Sequence, residues 1–410
     1  MTSMELIRVE LLVIAVFIFV YLGMAAGGVP GLAIDRSGVA LLGAIALLAG
    51  GAVTAESAWA SVDVSTIGLL FGLMVVSAQF RLGGFYTLLS RRIASLDGPP
   101  GLLLGLVIGS SAVLSALLAN DIVCLAMTPV LIEGCVKRRL DPVPHLLGLA
   151  CAANVGSAAT LIGNPQNMLI GQVLGLSFGG YLADALPVAV AGLFAVWLVI
   201  ALMFRGRWER SMDAPPAESP PYDPWQTGKG FFVLAVLIAV FLWSGIPREA
   251  AALAGAGVLL LSRRLASRSI FGIIDWPLLL LFFGLFVVND SLSKAGITEW
   301  AFHALSITGL DLDRWPVLFG LTAVLSNIVS NVPAVMLLLP QCQTPESGLV
   351  LALSSTLAGN LILTGSIANL IVAEWAAVMG VRITWLSHAV VGVPVTILTL
   401  ALAAGWLWLG

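Results

Sequence analysis

The chain has 410 residues, 59% hydrophobic and only 10% charged, with a formal net charge of −3 and a mean hydropathy of +1.04. Soluble domains carry about 25% charged residues, so this composition excludes an ordinary soluble globule and points to a polytopic helical membrane protein. The small net charge and the lack of a basic stripe leave no footprint for nucleic acid.

In chain order, apolar runs fall near 9–27, 37–53, 65–80, 101–118, 122–135, 145–175 and 184–204. A second series follows near 230–246, 250–262, 271–288, 315–330, 332–340, 347–376 and 385–408. The first run lacks a small-residue cleavage pattern and reads as a retained helix. Between the series, residues 205–229 hold Arg205, Arg207, Arg210, Lys229 and the prolines Pro215, Pro216, Pro220, Pro221 and Pro224. This linker divides the chain into halves 1–204 and 230–410. Cys124, Cys135, Cys151 and Cys342 show no metal-ligand spacing; the first three lie in or beside apolar runs as reduced packing residues.

The halves repeat. Leu114 to Pro129 matches Leu325 to Pro340 at an offset of 211, which aligns Ser115 with Ser326, Asn120 with Asn331 and Pro129 with Pro340. Asp63 to Val76 matches Asp275 to Val288 at an offset of 212. Downstream, 154–167, with Thr160, Gly163, Asn164 and Asn167, answers 360–369, with Thr364, Gly365, Ser366 and Asn369. In each half a polar tip, 119–121 or 330–332, interrupts an apolar run. Such a break exposes backbone groups that need partners at membrane depth.

Lysine and arginine favour cytoplasmic loops. Placing Arg81, Arg91 and Arg92, then Lys137, Arg138 and Arg139, then the linker, then Arg263, Arg264 and Arg268 on that side makes 101–135 enter from the cytoplasm and return. The return limb 122–135 is about 21 Å of helix, short for a span, so the spacing predicts a re-entrant hairpin tipped by Asn120. The second hairpin, tipped by Asn331, then enters from outside. The expected fold is all-α and polytopic: two inverted-topology repeats, ten transmembrane helices, two re-entrant hairpins, two broken helices and both termini outside.

Inverted repeats with paired hairpins and broken helices mark a secondary transporter whose site lies at the midplane. Half-helix N-termini present N–H groups to anions, and neutral oxygens can hold Na⁺. The candidate substrate residues are Asn120, Asn331, Thr160, Gly163, Asn164, Asn167, Thr364, Gly365, Ser366 and Asn369. The candidate coupling-ion residues are Asp121, Asn120, Ser115, Ser326 and Asn331. Asp121 is the sharpest of these, because a carboxylate at mid-membrane costs about 2.5–3.5 kcal/mol on insertion scales. Burial disfavours its charged form, which suits a proton carrier or a cation ligand. Its repeat partner is Val332. The simpler role for Asp121 is to cap the helix starting at Ile122. Asp63 and Asp275 read as helix caps, Asp290, Glu374 and Asp184 as interfacial, and His145, His303 and His388 receive no role. No metal beyond Na⁺ and no cofactor beyond H⁺ or Na⁺ is expected. The chain has no phosphate-binding Gly-x-x-x-x-Gly-Lys-Ser/Thr loop and no His-Glu-x-x-His, so an ATP-driven pump or an enzyme is not expected.

These residues resemble the ion transporter superfamily. Ala119-Asn120-Asp121 followed by Met127-Thr128-Pro129, and Ser330-Asn331-Val332-Pro333, resemble the hairpins of the arsenite permease branch, which includes related sodium/proton antiporters. Gly163-Asn164-Pro165-Gln166-Asn167 resembles the Gly-x-Pro-x-Asn loop shared with dicarboxylate and citrate transporters. The likeness runs from about Asp35 to Pro394. It implies a homodimer built on a scaffold domain and a transport domain that carries substrate between the tips by an elevator-like step. The tips depart from the Ser-Asn-Thr of the dicarboxylate branch, losing hydroxyls and gaining Asp121. With no Arg or Lys expected near either tip, a neutral substrate such as arsenous acid is electrostatically easier than a dianion. The alternatives are a Na⁺-coupled dicarboxylate or citrate symporter, a Na⁺/H⁺ antiporter and an ion channel. The compact, bacterial-looking loops point to an inner (plasma) membrane.

Overall fold

A computed structural model describes residues 3–217 and 220–409. It holds twenty α-helices and two short 3₁₀ turns. The first ten helices are α1 (Ser3–Ala26), α2 (Arg36–Ala49), α3 (Ala55–Ser61), α4 (Val64–Leu82), α5 (Phe85–Ser95), α6 (Pro100–Leu117), α7 (Asn120–Lys137), α8 (Pro142–Ser157), α9 (Pro165–Val173) and α10 (Phe178–Met203). The second ten are α11 (Pro224–Trp243), α12 (Arg248–Leu260), α13 (Ser267–Phe271), α14 (Trp276–Lys294), α15 (Ile297–Ile307), α16 (Trp315–Val329), α17 (Asn331–Leu338), α18 (Pro345–Ala358), α19 (Ile367–Val378) and α20 (Trp385–Leu409).

The two sets follow the same order, and matched helices begin for the same local reasons. Asp63 caps α4 by accepting from Thr66 N at 2.6 Å. Its counterpart Asp275 caps α14 by accepting from Leu278 N at 3.0 Å. Both carboxylates take the N-cap role expected from sequence, satisfying an N–H that the helix itself cannot. Next, Gly84 (φ +70°) and Gly296 (φ +71°) turn the chain into α5 and α15. Left-handed backbone at both places favours glycine.

The halves are joined by two equivalent crossings: α4 packs on α12, and α14 packs on α2. A Cβ placed on Gly72 would lie 2.7 Å from the backbone of Ala252, and one on Gly284 would lie 2.5 Å from the backbone of Ala40. Gly72 and Gly284, like Ala40 and Ala252, are 212 residues apart. The same glycine-on-alanine contact is thus made twice, as a two-fold relation between halves requires. Small residues let the backbones approach closely where lipid offers no hydrophobic drive between helices.

Among the described residues, seven helices are long and apolar enough to cross a membrane: those containing Ile7–Ala26, Val64–Leu82, Pro100–Leu117, Phe178–Met203, Pro224–Trp243, Trp276–Lys294 and Trp385–Leu409. Six of them are crossings expected from the apolar runs; the seventh, α6, is the first limb of a hairpin. Two further expected crossings are the broken pairs α8–α9 and α18–α19. The last two, α2 and α12, are single helices of only 14 and 13 residues.

The first hairpin differs from expectation in its return limb. The apolar run ends at 135, but α7 covers 18 residues from Asn120 to Lys137, about 27 Å. Helix persists through both polar ends because Asp121 in the first turn and Lys137 in the last complement the helix dipole. In the second hairpin α17 has only 8 residues, and a 3₁₀ turn over Leu339–Gln341 follows it at once. Pro340 lies in that turn, whereas its repeat partner Pro129 sits inside α7.

Exchange of Gly72 or Gly284 for valine is expected to drive the crossing helices apart. Each variant should lose several degrees of melting temperature in detergent, whereas valine at Gly257, where a Cβ would meet nothing within 4 Å, should not.

Candidate functional site

Both hairpin tips and both helix breaks meet at one place. A cavity of about 30 Å³ is lined by Asn120, Asp121, Pro165, Gln166, Leu278, Ser330, Asn331, Val332, Ser366 and Ile367. All but Leu278 lie at the cap or in the first two residues of a helix: α7, α9, α17 or α19. Four helix N-termini therefore converge, each with N–H groups that have no partner inside the helix and each carrying about half a positive charge. Among the described residues, Asp121 is the ionisable group on this cavity.

Asp121 is not the cap of its helix. Ala119 occupies that position, no side chain closes the helix start, and Asp121 is the second helical residue. Cap-like chemistry comes instead from α4, where the Ser77 hydroxyl accepts from Ala119 N at 3.0 Å. The second tip is held from the counterpart of Ser77. Asn289, 212 residues on, accepts from the Tyr21 hydroxyl at 2.9 Å, and that hydroxyl also lies 3.3 Å from the Pro333 carbonyl. Ser330 stands at φ +80°, ψ 160°, a region costly for a residue with a side chain.

Behind the tips lies a network of neutral polar groups, nearly all buried. The Asn154 amide nitrogen donates to Asn360 Oδ1 at 2.8 Å and Asn369 Oδ1 at 3.2 Å, while its oxygen accepts from the Ser366 hydroxyl at 2.8 Å. Asn164 Nδ2 donates to Ser157 Oγ at 3.1 Å and to Thr356 Oγ1 at 3.2 Å, and Gln166 Nε2 reaches the same Thr356 oxygen at 3.2 Å. Asn167 ties the first break together through the Thr160 carbonyl at 3.0 Å and the Tyr181 hydroxyl at 3.1 Å. Asn369 ties the second through the Gly359 carbonyl at 2.9 Å. With its amide oriented to satisfy both acceptors, Asn331 donates to the carbonyls of Ser355 at 3.1 Å and Gly365 at 3.3 Å.

The expected site residues thus fall into groups. Asn120, Asp121, Asn331 and Ser366 line the tip cavity, and Asn164 lines the larger cavity described below. Asn167 and Asn369 hold the breaks, and Thr160 binds the Ala116 carbonyl of α6. Gly163 sits where a Cβ would come within 2.8 Å of the Ser115 carbonyl, and Gly365 where it would come within 2.9 Å of Asn327 Oδ1. Thr364 is half-buried and lines neither cavity. Ser115 and Ser326 are fully buried beside the tips, and both hydroxyls lack a partner, as do Asn120 Oδ1 and Asn327 Oδ1.

A second cavity, of about 280 Å³, adjoins the first. It shares Asn120, Asp121, Pro165 and Leu278 with it, and adds Arg81 and Asp275. This corrects the expectation that no Arg or Lys lines the region of the tips. Arg81 closes the last turn of α4 and is remote from Asn120 in sequence, so motif spacing could not reveal it. Asp275 was legible only as a cap; the fold makes it a cavity wall as well. Thr356, Asn154, Gln166 and Asn360 were also missed as site residues. The available signals were that Asn154 and Asn360 open the two matched segments and that Gln166 lies within the Gly163–Asn167 loop. His388, given no role, is buried with Nε2 3.1 Å from the Asn360 carbonyl.

Residues 14–349 match the citrate transporter family, CitMHS. The chain belongs to that family. The match takes in both hairpins and the first break but stops before the second break at 360–369. The chain is 28% identical to the silicon efflux transporter LSI3 of Oryza sativa subsp. japonica, over 91% of this chain and 92% of that protein. It is 32% identical to the inner membrane protein YbiR of Escherichia coli (strain K12), over 82% and 85%. Its fold is similar to the crystal structure of the Alcanivorax borkumensis YdaH transporter, with a TM-score of 0.56 and 15% identity over 98% of this chain and 97% of that one. This family member is an integral, multi-pass transporter.

Asn154→Ala is expected to leave Asn360, Asn369 and Ser366 with buried unpaired groups, costing about 1–3 kcal/mol. Thermal unfolding checks this, and Asn154→Ala should destabilise more than Thr364→Ala.

Proposed function

We propose that this protein is a secondary active transporter for a small oxyacid or anion, arsenite-like in size, driven by H⁺ or Na⁺. The observation that carries the reading is the meeting of four helix N-termini at one small cavity beside a single carboxylate. Converging N–H groups favour oxygen-rich solutes with negative charge or strong acceptor character. The tip cavity of about 30 Å³ suits a compact solute, whereas a branched tricarboxylate would extend into the adjoining cavity of about 280 Å³. Silicon in the name of the rice relative and citrate in that of the family span this class of oxygen-rich solutes. Asp121 would take the coupling ion. If that ion is Na⁺, Ser115, Asn120 Oδ1, Ser326 and Asn331 are the neutral oxygens that suit it, and the unpartnered buried hydroxyls support this reading. The halves are inverted in the membrane, the linker is cytoplasmic, the chain works as a homodimer in an inner membrane, and substrate crosses by an elevator-like step.

The Na⁺-coupled citrate or dicarboxylate symporter is the second reading. Arg81 favours it, since it lines the cavity that adjoins the tips and could attract a carboxylate.

Uptake of arsenite, silicic acid, sulfate and citrate into proteoliposomes, under imposed pH and Na⁺ gradients, separates these readings. Asp121→Asn should abolish gradient-driven accumulation while leaving the melting temperature near that of the native protein. Unchanged coupling would remove Asp121 from the mechanism. Asn120→Ala and Asn331→Ala should each weaken apparent affinity by about tenfold, the loss of roughly one good hydrogen bond. For orientation, cysteines replacing the exposed Ser95 and Ser306, at the ends of α5 and α15, should react with an impermeant thiol reagent from opposite sides. Labelling of both from one side would refute the inversion.

A further inference from the structure

Arg36 and Arg248 are repeat counterparts, 212 residues apart, and each is the first residue of a short helix, α2 or α12. They are used differently. Arg248 Nη2 donates to the carbonyls of Gly171 at 2.8 Å and Leu176 at 3.0 Å, where α9 ends and the chain turns. Its neighbour Glu249 accepts from Gln172 Nε2 at 2.8 Å and from the Ser65 hydroxyl at 3.3 Å. A cation at a helix C-terminus and a carboxylate held by two donors are both favourable placements. The half-helix α9, which brings Pro165 and Gln166 to the tip cavity, is thereby tied to α12 and to α4. Arg36 makes no such tie. Its Nε donates to the Met24 carbonyl at 3.1 Å, at the end of α1 in its own half.

The partner that Arg36 lacks is present in form. After α9, Leu176 N donates to the Gly171 carbonyl at 3.1 Å around Gly175 (φ +59°). After α19, Val381 N donates to the Ala376 carbonyl at 2.8 Å around Gly380 (φ +80°). The two helix ends are the same cap. The carbonyls of Ala376 and Val381 therefore correspond to the two that Arg248 holds, Ala377 corresponds to Gln172, and Ser37 corresponds to Glu249.

The packing is unequal in the same sense. Helix α9 packs directly on α4. Their counterparts, α19 and α14, make no comparable contact with each other. All four helices border the 280 Å³ cavity, with Met74 from α4, Met168 from α9, Leu278 from α14 and Ile371 from α19. One half is latched and the other is not. A two-fold relation between halves makes the reverse arrangement available to the same chain, with α19 closed on α14 and α9 released from α4.

We propose that Arg248 and Arg36 are alternating latches: Arg248 holds α9 to α12 in the conformation seen here, and Arg36 takes the C-terminal carbonyls of α19 in the opposite one. The proposal rests on the reading of the protein as an alternating-access transporter, and it can fail separately from that reading. The two arginines act as positioning residues, setting which half is latched without touching substrate.

The test is cross-linking in membranes with a short bifunctional thiol reagent, after replacing the four buried free cysteines with alanine. One protein carries Gln172→Cys with Glu249→Cys, and reports the latch seen here. The other carries Ser37→Cys with Ala377→Cys, and reports its counterpart. Both pairs should cross-link, each in a fraction of molecules. Adding Arg248→Gln to the Ser37/Ala377 protein should raise its cross-linking rate by about tenfold, the effect of losing a charge-assisted contact, and adding Arg36→Gln should lower it. A merely structural arginine would lower cross-linking in both backgrounds. The proposal is overturned if the Ser37/Ala377 pair never closes while the Gln172/Glu249 pair does, or if Arg248→Gln leaves the Ser37/Ala377 rate unchanged. Cross-linking needs no solute, so the two readings part cleanly. If the latches exchange as described but arsenite, silicic acid and citrate all fail to move, the transport reading falls and the latches stand. If those solutes move with full coupling and the second pair stays open, the latches fall alone.

Discussion

The first N–H groups of a helix have no partner within it, and in an apolar interior each must find one. This chain buries four such helix starts side by side, and the rest of the molecule accommodates them. Ser77 and the Tyr21–Asn289 pair hold the backbone of the tips from outside. Asn154, Asn164, Asn167 and Asn369 hold the breaks from behind. The starts of α9 and α19 are closed by Asn164 and Ser366, while those of α7 and α17 have no side-chain cap. The small cavity lies where these four starts meet.

Two similar halves make that convergence possible. Gly72 on Ala252 and Gly284 on Ala40 are one contact made twice, and they cross the halves through each other, so that elements far apart in sequence face one another. The two similar halves sit in unequal surroundings. Here α9 packs against α4, whereas α19 and α14 make no comparable contact. The difference cannot be a property of the fold alone, because the fold is shared by both halves; it is a property of the conformation.

Much of this was legible in the sequence because it is local. Asn120 and Asn331 interrupt apolar runs at matched positions, Asp63 and Asp275 precede matched helices, and glycines cluster where both helices break. Length was less legible. The apolar run ending at 135 understated α7, since a helix does not stop where hydrophobicity does when Asp121 and Lys137 suit its ends. What the sequence hid is tertiary. Arg81 reaches the cavity from the end of α4, and Asp275 reaches it from a cap. Thr356 receives both Asn164 and Gln166 across the halves. Neutral residues in apolar helices carry no periodic signature that would distinguish Thr356 from Thr399, which bonds its own helix.

The central claim is that the two tips face one another across a single site. Cysteines replacing Asp121 and Val332, the repeat partners that both line the tip cavity, test it most directly. In membranes a short bifunctional thiol reagent should join them within one chain, and joining them should block labelling of either by a small thiol reagent. If each cysteine reacts readily with a monofunctional reagent yet the pair is never joined, the tips do not share a site and the account is wrong.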